Sequence, residues 1–262
     1  DDVQVVHSVI RDGYGSDAVF IADGASPIIS NTQILNNNGP AIYIADIASD
    51  PVLVNNVISG NTYDWLSLPG GILPADRVWG LGWATTVLPH RVRNSVTIPV
   101  TYTLTIEPGV EMQSEYDGPW NVYGTLLAEG TPTQPITFTR GSSSYWGGIQ
   151  IASGAHARLA YVTLERGGYY GSYRPLRIAS DDVQVVHSVI RDGYGSDALY
   201  IADGASPVIS HTQILNNRGP GIYITGGGAP QLHALEIRGN SGVALHIGTM
   251  ETLPVLDNLT IA

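Results

Sequence analysis

Residues 1–45 read DDVQVVHSVIRDGYGSDAVFIADGASPIISNTQILNNNGPAIYIA, and residues 181–225 read DDVQVVHSVIRDGYGSDALYIADGASPVISHTQILNNRGPGIYIT. Only seven positions differ: Val19/Leu199, Phe20/Tyr200, Ile28/Val208, Asn31/His211, Asn38/Arg218, Ala41/Gly221 and Ala45/Thr225. The likeness fades toward Ser59-Gly60-Asn61 and Arg238-Gly239-Asn240, where the offset has slipped from 180 to 179. A module of about 180 residues is therefore duplicated, and the sequence opens inside one copy.

A finer period runs within each copy. Ile10, Ile34 and Ile58 are 24 apart, and Ile190, Ile214, Ile237 and Ile261 follow at 24, 23 and 24. Turn-forming residues fall on the same grid, as Arg11-Asp12-Gly13, Leu35-Asn36-Asn37 and Ser59-Gly60-Asn61. A fixed period in the low twenties is the mark of a solenoid, whose units cannot bury their apolar side chains alone.

The choice between helical and β solenoids rests on apolar spacing. Val3 and Val5, Ile42 and Ile44, Leu104 and Ile106, Ile149 and Ile151, and Leu245 and Ile247 each alternate. That is the period of a strand. Gly, Asn, Asp and Pro separate these short runs and favour turns with positive φ. The expectation is an all-β parallel β-helix with about 24 residues per coil and roughly eleven coils. At a strand spacing of about 4.8 Å it makes a rod on the order of 50 Å long.

Three segments follow. Residues 1–61 are coils ending one module, and residues 96–262 are coils of the next, in which 181–240 repeat 1–61. Between them, residues 62–95 carry Trp65, Pro69-Gly70-Gly71, Trp79-Gly80-Leu81-Gly82-Trp83 and Pro89 without a clear strand period. This stretch is expected to be an insertion or a module junction.

Composition excludes several classes. The chain has 262 residues, no Cys and no Lys, with 12 Arg against 23 acidic residues for a formal charge of −11. Disulfide scaffolds and Cys-bound metal clusters are ruled out. So are lysine isopeptide crosslinks. Scattered Arg in an acidic chain argues against nucleic-acid binding, which needs clustered positive charge. No apolar run approaches the roughly 20 residues of a membrane span. No signal peptide opens the sequence, which reads as a fragment or mature segment.

Part of the chain resembles a known family. Leu104-Thr105-Ile106-Glu107-Pro108-Gly109-Val110, Gly124-Thr125-Leu126-Leu127-Ala128-Glu129-Gly130-Thr131, Gln134-Pro135-Ile136-Thr137-Phe138-Thr139 and Trp146-Gly147-Gly148-Ile149 occur in that order. The series is similar to right-handed parallel β-helix modules of large secreted and surface bacterial proteins, and Trp79 to Pro89 looks like their module entry. The likeness covers about residues 65–165. It implies a right-handed helix and an extracellular or cell-surface location, and it brings no catalytic motif.

Each candidate site in the sequence also has a structural reading. His7, Asn31 and Asn55 form one column of the grid, with His187 and His211 in the second copy. Such a column could hold a metal or sugar, but Asn31 is exchanged for His211 and Ala234 stands at the corresponding later place, which favours a ladder. Asp12, Asp17, Asp23, Asp192, Asp197 and Asp203 suggest calcium, which needs several convergent oxygens, or tight turns, the favoured reading. Asp181-Asp182, with its copy Asp1-Asp2, is the best carboxylate pair for glycoside hydrolysis. Arg11 and Arg191 are the only recurring candidates for lyase chemistry. Thr101, Thr103, Thr105, Thr137 and Thr139 reflect strand propensity. Tyr14, Tyr194, Tyr43, Tyr223, Tyr169, Tyr170 and Tyr173 offer stacking surfaces for sugars or partners.

No catalytic, cofactor or metal residue is therefore assigned, calcium being the one ion considered. The expected function is structural and non-enzymatic: part of an extracellular or surface fibre, sheath or adhesin that associates head to tail. The alternative is a carbohydrate-binding or polysaccharide-degrading β-helix.

Overall fold

In the computed structural model, residues 3–80, 88–115, 118–142, 145–169, 173–202, 204–248 and 253–262 are described. Among them every element is a strand of two to six residues, and every strand pair is parallel. Short β-branched runs ended by Gly, Asn or Asp leave no length for a helix. Each strand instead finds its hydrogen-bond partners one coil above and one below.

The isoleucine grid is the register. Ile10 pairs with Ile34 and Ile34 with Ile58. Ile190, Ile214, Ile237 and Ile261 form a second ladder. Ile34, Ile58, Ile190 and Ile214 are buried, each among aliphatic side chains of the coils on either side. Full burial of one such side chain contributes roughly 2–3 kcal/mol, so the stacked ladders are the main source of stability. From Trp79 to Trp146 aromatic rings fill the core: Trp79 meets Trp120 edge-on, Trp120 meets Phe138 edge-on, and Phe138 stacks on Trp146.

An eleven-stranded sheet runs through the described coils from Val19–Ile21 to Thr260–Ile261, which makes about ten turns where roughly eleven were expected. Two eight-stranded sheets accompany it from Gly71 onward, and two three-stranded sheets accompany it before that.

Where it is described, the stretch 62–95 contributes strands to the same sheets. Tyr63–Leu68 pairs with Pro40–Ile44 on one side and His90–Val92 on the other, with a register irregularity between Pro40 and Ile42. Leu66 and Leu68 point inward as strand residues do. The period is hard to read because Trp65 is held from outside, with the Arg91 guanidinium 3.5 Å over its ring. Leu81-Gly82-Trp83 lie outside the described residues.

This junction changes the phase of the repeat. In the first copy Val19–Ile21 lies in the long sheet, whereas its copy Leu199–Ile201 lies in an eight-stranded sheet. The long sheet instead takes Val189–Arg191, the copy of Val9–Arg11. From Val19–Ile21 to Val189–Arg191 is seven steps in that sheet, and Leu199–Ile201 is the next strand along the chain. One module is thus seven coils and one strand, so the same sequence recurs one face further round the rod.

Candidate functional sites

The His and Asn column forms a left-handed corner in the coils that carry it. His7, Asn31 and Asn55 have φ of 48°, 49° and 52°, and His187 and His211 have 49° and 50°. The left-handed region is costly for most L-residues, and Asn, Asp and His are enriched there. Tyr161, Ala234 and Asn258 take the same conformation in neighbouring coils. The side chains meet along the axis: Tyr161 stacks on His187 at 4.9 Å, and His187 lies tilted against His211 at 4.8 Å. The next residue turns inward and serves the backbone. Asn56 accepts from the Thr32 amide at 3.1 Å and donates to the Ile29 carbonyl at 2.9 Å, while the Ser188 hydroxyl accepts from the Val162 amide at 3.1 Å.

The acidic residues divide among turns and pairs. Asp12, Asp23 and Asp192 have positive φ, at 57°, 57° and 54°. Asp17 accepts from Ser16, Asp197 is buried against Arg174 at 3.3 Å, and Asp203 lies outside the described residues. Among the described residues no group of three acidic or His side chains is placed to hold a metal ion.

Asp181 and Asp182 have different duties. Asp181 caps the Ser206 amide at 2.7 Å. Asp182 meets His156 Nδ1 at 2.7 Å and Arg158 at 3.1 Å. The hydrogen bond from His156, followed by that from Arg158, holds its carboxyl below the usual range. Both line an open hollow with Ser153, Gly154, Ser180 and Gly204. A general acid must hold a proton near neutral pH, and Asp182 is tuned the other way. His156 and Arg158 escape sequence reading because only the stacking of two coils brings them to Asp182. Arg191 is neutralised by Glu165, which also takes the Thr139 hydroxyl, and Arg11 lies 3.6 Å from Asp12 in solvent.

The tyrosines stand as ladders. Phe20 stacks on Tyr43, and Arg93 caps the Tyr43 ring at 3.9 Å. On the other copy Tyr200 stacks on Tyr223, Tyr223 stacks on His246, and Arg174 lies 4.5 Å over Tyr200. Rings stacked this way have much of their faces occupied by each other or by guanidinium, which leaves mainly edges for a sugar. Tyr169 is exposed and Tyr173 half-buried, while Tyr170 lies outside the described residues.

A further ladder escapes sequence reading as well. Asn37 accepts from the Gly13 amide at 3.1 Å and donates to Asn61 at 2.8 Å and to the Ile10 carbonyl at 3.2 Å. Asn61 in turn donates to Asp64 at 2.8 Å. Asn217 and Asn240 repeat the arrangement beneath Gly193. Its signal is Asn directly after a left-handed residue, in Asn36-Asn37, Gly60-Asn61, Asn216-Asn217 and Gly239-Asn240, where turn chemistry alone accounts for the composition.

Neither a curated protein nor a solved structure matches the chain. A family model described as a right handed beta helix region matches residues 1–72 and 129–261. The described residues of the unmatched middle continue the same sheets in strand order. With most of its length matched and parallel coils throughout, the chain belongs to the right-handed β-helix family.

Proposed function

We propose that this chain is a structural rod, a non-enzymatic component of an extracellular or cell-surface fibre, sheath or adhesin that acts by coil stacking and head-to-tail association. The family includes both surface structural proteins and polysaccharide-active enzymes, so the reading rests on the residues of this chain. The observation that carries it is the employment of the candidate columns. His and Asn corners, Asn ladders and aromatic stacks each spend their polar atoms or ring faces on the next coil. A β-helix whose terminal coil is uncovered presents strand edges that template further pairing. A contact between unlike surfaces grows into a filament when its rotation does not close. Electron microscopy and sedimentation over a wide concentration range test this. Concentration-dependent filaments are expected, and monodisperse monomers throughout would overturn self-assembly.

A second reading, glycan binding or cleavage, draws on the His156–Asp182–Arg158 cluster beside its hollow. A carboxylate kept ionised there is an anchor or base. Turnover of an acidic polysaccharide that disappears in Asp182→Asn would favour it. Absence of both turnover and glycan-array binding would eliminate it.

A further inference from the structure

One wall of the rod departs from the pairing of each strand with the coils above and below. Val52–Val54 and Gly71–Ile72 follow the long-sheet strands Pro40–Ile44 and Tyr63–Leu68, which pair with each other. Val52–Val54 pairs with Ile28–Ser30 beneath it, and Gly71–Ile72 pairs with Val96–Ile98 above it. Backbone groups along a strand point alternately to its two sides. The Val52 amide donates to Pro27 and the Val54 carbonyl accepts from Asn31, so Leu53 between them faces upward. The Gly71 and Leu73 amides donate to Ser95 and Thr97, so Ile72 faces back down toward Leu53. Among the described residues no backbone hydrogen bond joins these two edges.

The corners explain the interruption. Residues 45–51 lead into Val52–Val54, whereas residues 69–70 alone lead into Gly71–Ile72. The longer corner carries Ile47 against Gly71, where a Cβ would stand 3.5 Å from the Ile47 Cγ2. A cavity of about 20 Å³, room for one water, remains beside it, lined by Ile47, Ser49, Asp50, Leu68, Arg77 and Trp79 among others. The buried Ser49 hydroxyl has no protein partner. Arg77 spans the gap: its Nη2 donates to the Ala48 carbonyl at 3.4 Å, and its Nη1 lies 3.3 Å from Asp50. The stability of a stacked-coil rod sums over the interfaces between neighbours, so an interface missing a ladder opens before complete ones. We propose that this wall holds a wetted seam, a conformational break at which the rod opens and flexes toward one face, with Arg77 as its latch. Water reaching the seam serves the Leu53 and Ile72 backbone groups and the Ser49 hydroxyl, as a ladder serves backbone elsewhere.

The test uses the full chain. Hydrogen exchange at the Leu53 and Ile72 amides is compared with that at Ile29, which is paired on both sides, with Val5 and Leu53. Exchange about tenfold faster or more is expected at Leu53 and Ile72, because neither amide enters a ladder. The chain has no Cys, so spin labels at Val52→Cys and Ile72→Cys, both exposed, report the seam directly. Labels at Ile28→Cys and Val52→Cys, which a ladder joins, are the reference pair. A broader distance distribution is expected across the seam than in the reference, and a broader one still in Arg77→Ala, while the amides of Val122 and Ile151 stay protected. If Arg77→Ala does not fold, Asp50→Asn, which alters only the exposed partner, takes its place. Exchange at Leu53 and Ile72 as slow as at Ile29, or equal widths for the two label pairs, would overturn the seam. A width unchanged by loosening the Arg77 contacts would overturn its role as latch.

Discussion

Ile21 and Ile201 are the same residue of one repeated sequence, both buried, and they lie in different sheets. Local sequence fixes the coil, since strand, left-handed corner and strand recur identically in both copies. It does not fix which side of the rod a strand faces. That depends on how many strands intervene, and the intervening module adds one strand beyond a whole number of coils. A surface repeated in sequence is thereby turned to a new direction.

The asparagine ladder should be costly to interrupt. Asn37 and Asn217 are 4% and 2% exposed, and each joins a backbone amide above to an asparagine below. At Asn217 alanine leaves the buried Gly193 amide and a carbonyl without partners in the core, whereas at Asn37 the amide released is that of the exposed Gly13. A destabilisation of about 2–3 kcal/mol is expected for Asn217→Ala and a smaller one for Asn37→Ala, read as a lowered denaturant midpoint. The exposed neighbour Asn38→Ala serves as a control and should change little.

At the left-handed corners the side chain matters less than the backbone. His187→Val places a β-branched residue at a φ of 49° and should cost about 1–2 kcal/mol. Ala234→Gly relaxes a φ of 51° and should leave stability unchanged or raise it by up to about 1 kcal/mol. Equal effects of both substitutions on thermal unfolding would show that the column is held by its side-chain contacts instead.

Calcium is expected to be dispensable. Asp12 and Asp192 serve turns, Asp17 takes a serine hydroxyl, and Asp197 is paired with Arg174. Thermal unfolding with and without a chelator should give the same midpoint. A drop on chelation would mean that carboxylates now assigned to turns converge on an ion.

Much of the coil is legible in the sequence, because Ile10, Ile34 and Ile58 are separated by one turn of the helix and register follows from spacing. Other features depend on contacts between coils of unequal length. His156 and Asp182 are 26 residues apart where the repeat is 24, so no grid aligns them. The asparagine ladder hides because Asn suits both a turn and an inward amide. The phase change hides because Tyr63–Leu68 is a longer strand with an outward Trp65, which masks the alternation of Leu66 and Leu68.

His90 should make stability fall as the solution is acidified. Its ring is buried between two carbonyls, with Nδ1 3.1 Å from Leu88 and Nε2 3.1 Å from Gly80. Burial is the dominant influence and pushes its pKa from 6.5 down to about 4, against the opposing pull of the two carbonyls. Protons therefore bind the unfolded chain more readily than the folded one. The stability associated with the neutral ring is fully present above pH 6.5 and is lost progressively as pH falls toward 4. The full span corresponds to about 3 kcal/mol. Asp182 titrates below this window, because its carboxyl is held under the ordinary value of 3.8, so the two contributions separate. His90→Gln removes the titration. Its urea midpoint should start lower at pH 7.5 and stay nearly flat down to pH 4.5, while the parent chain declines over that range. Parallel curves for the two proteins would mean that another group carries the acid sensitivity.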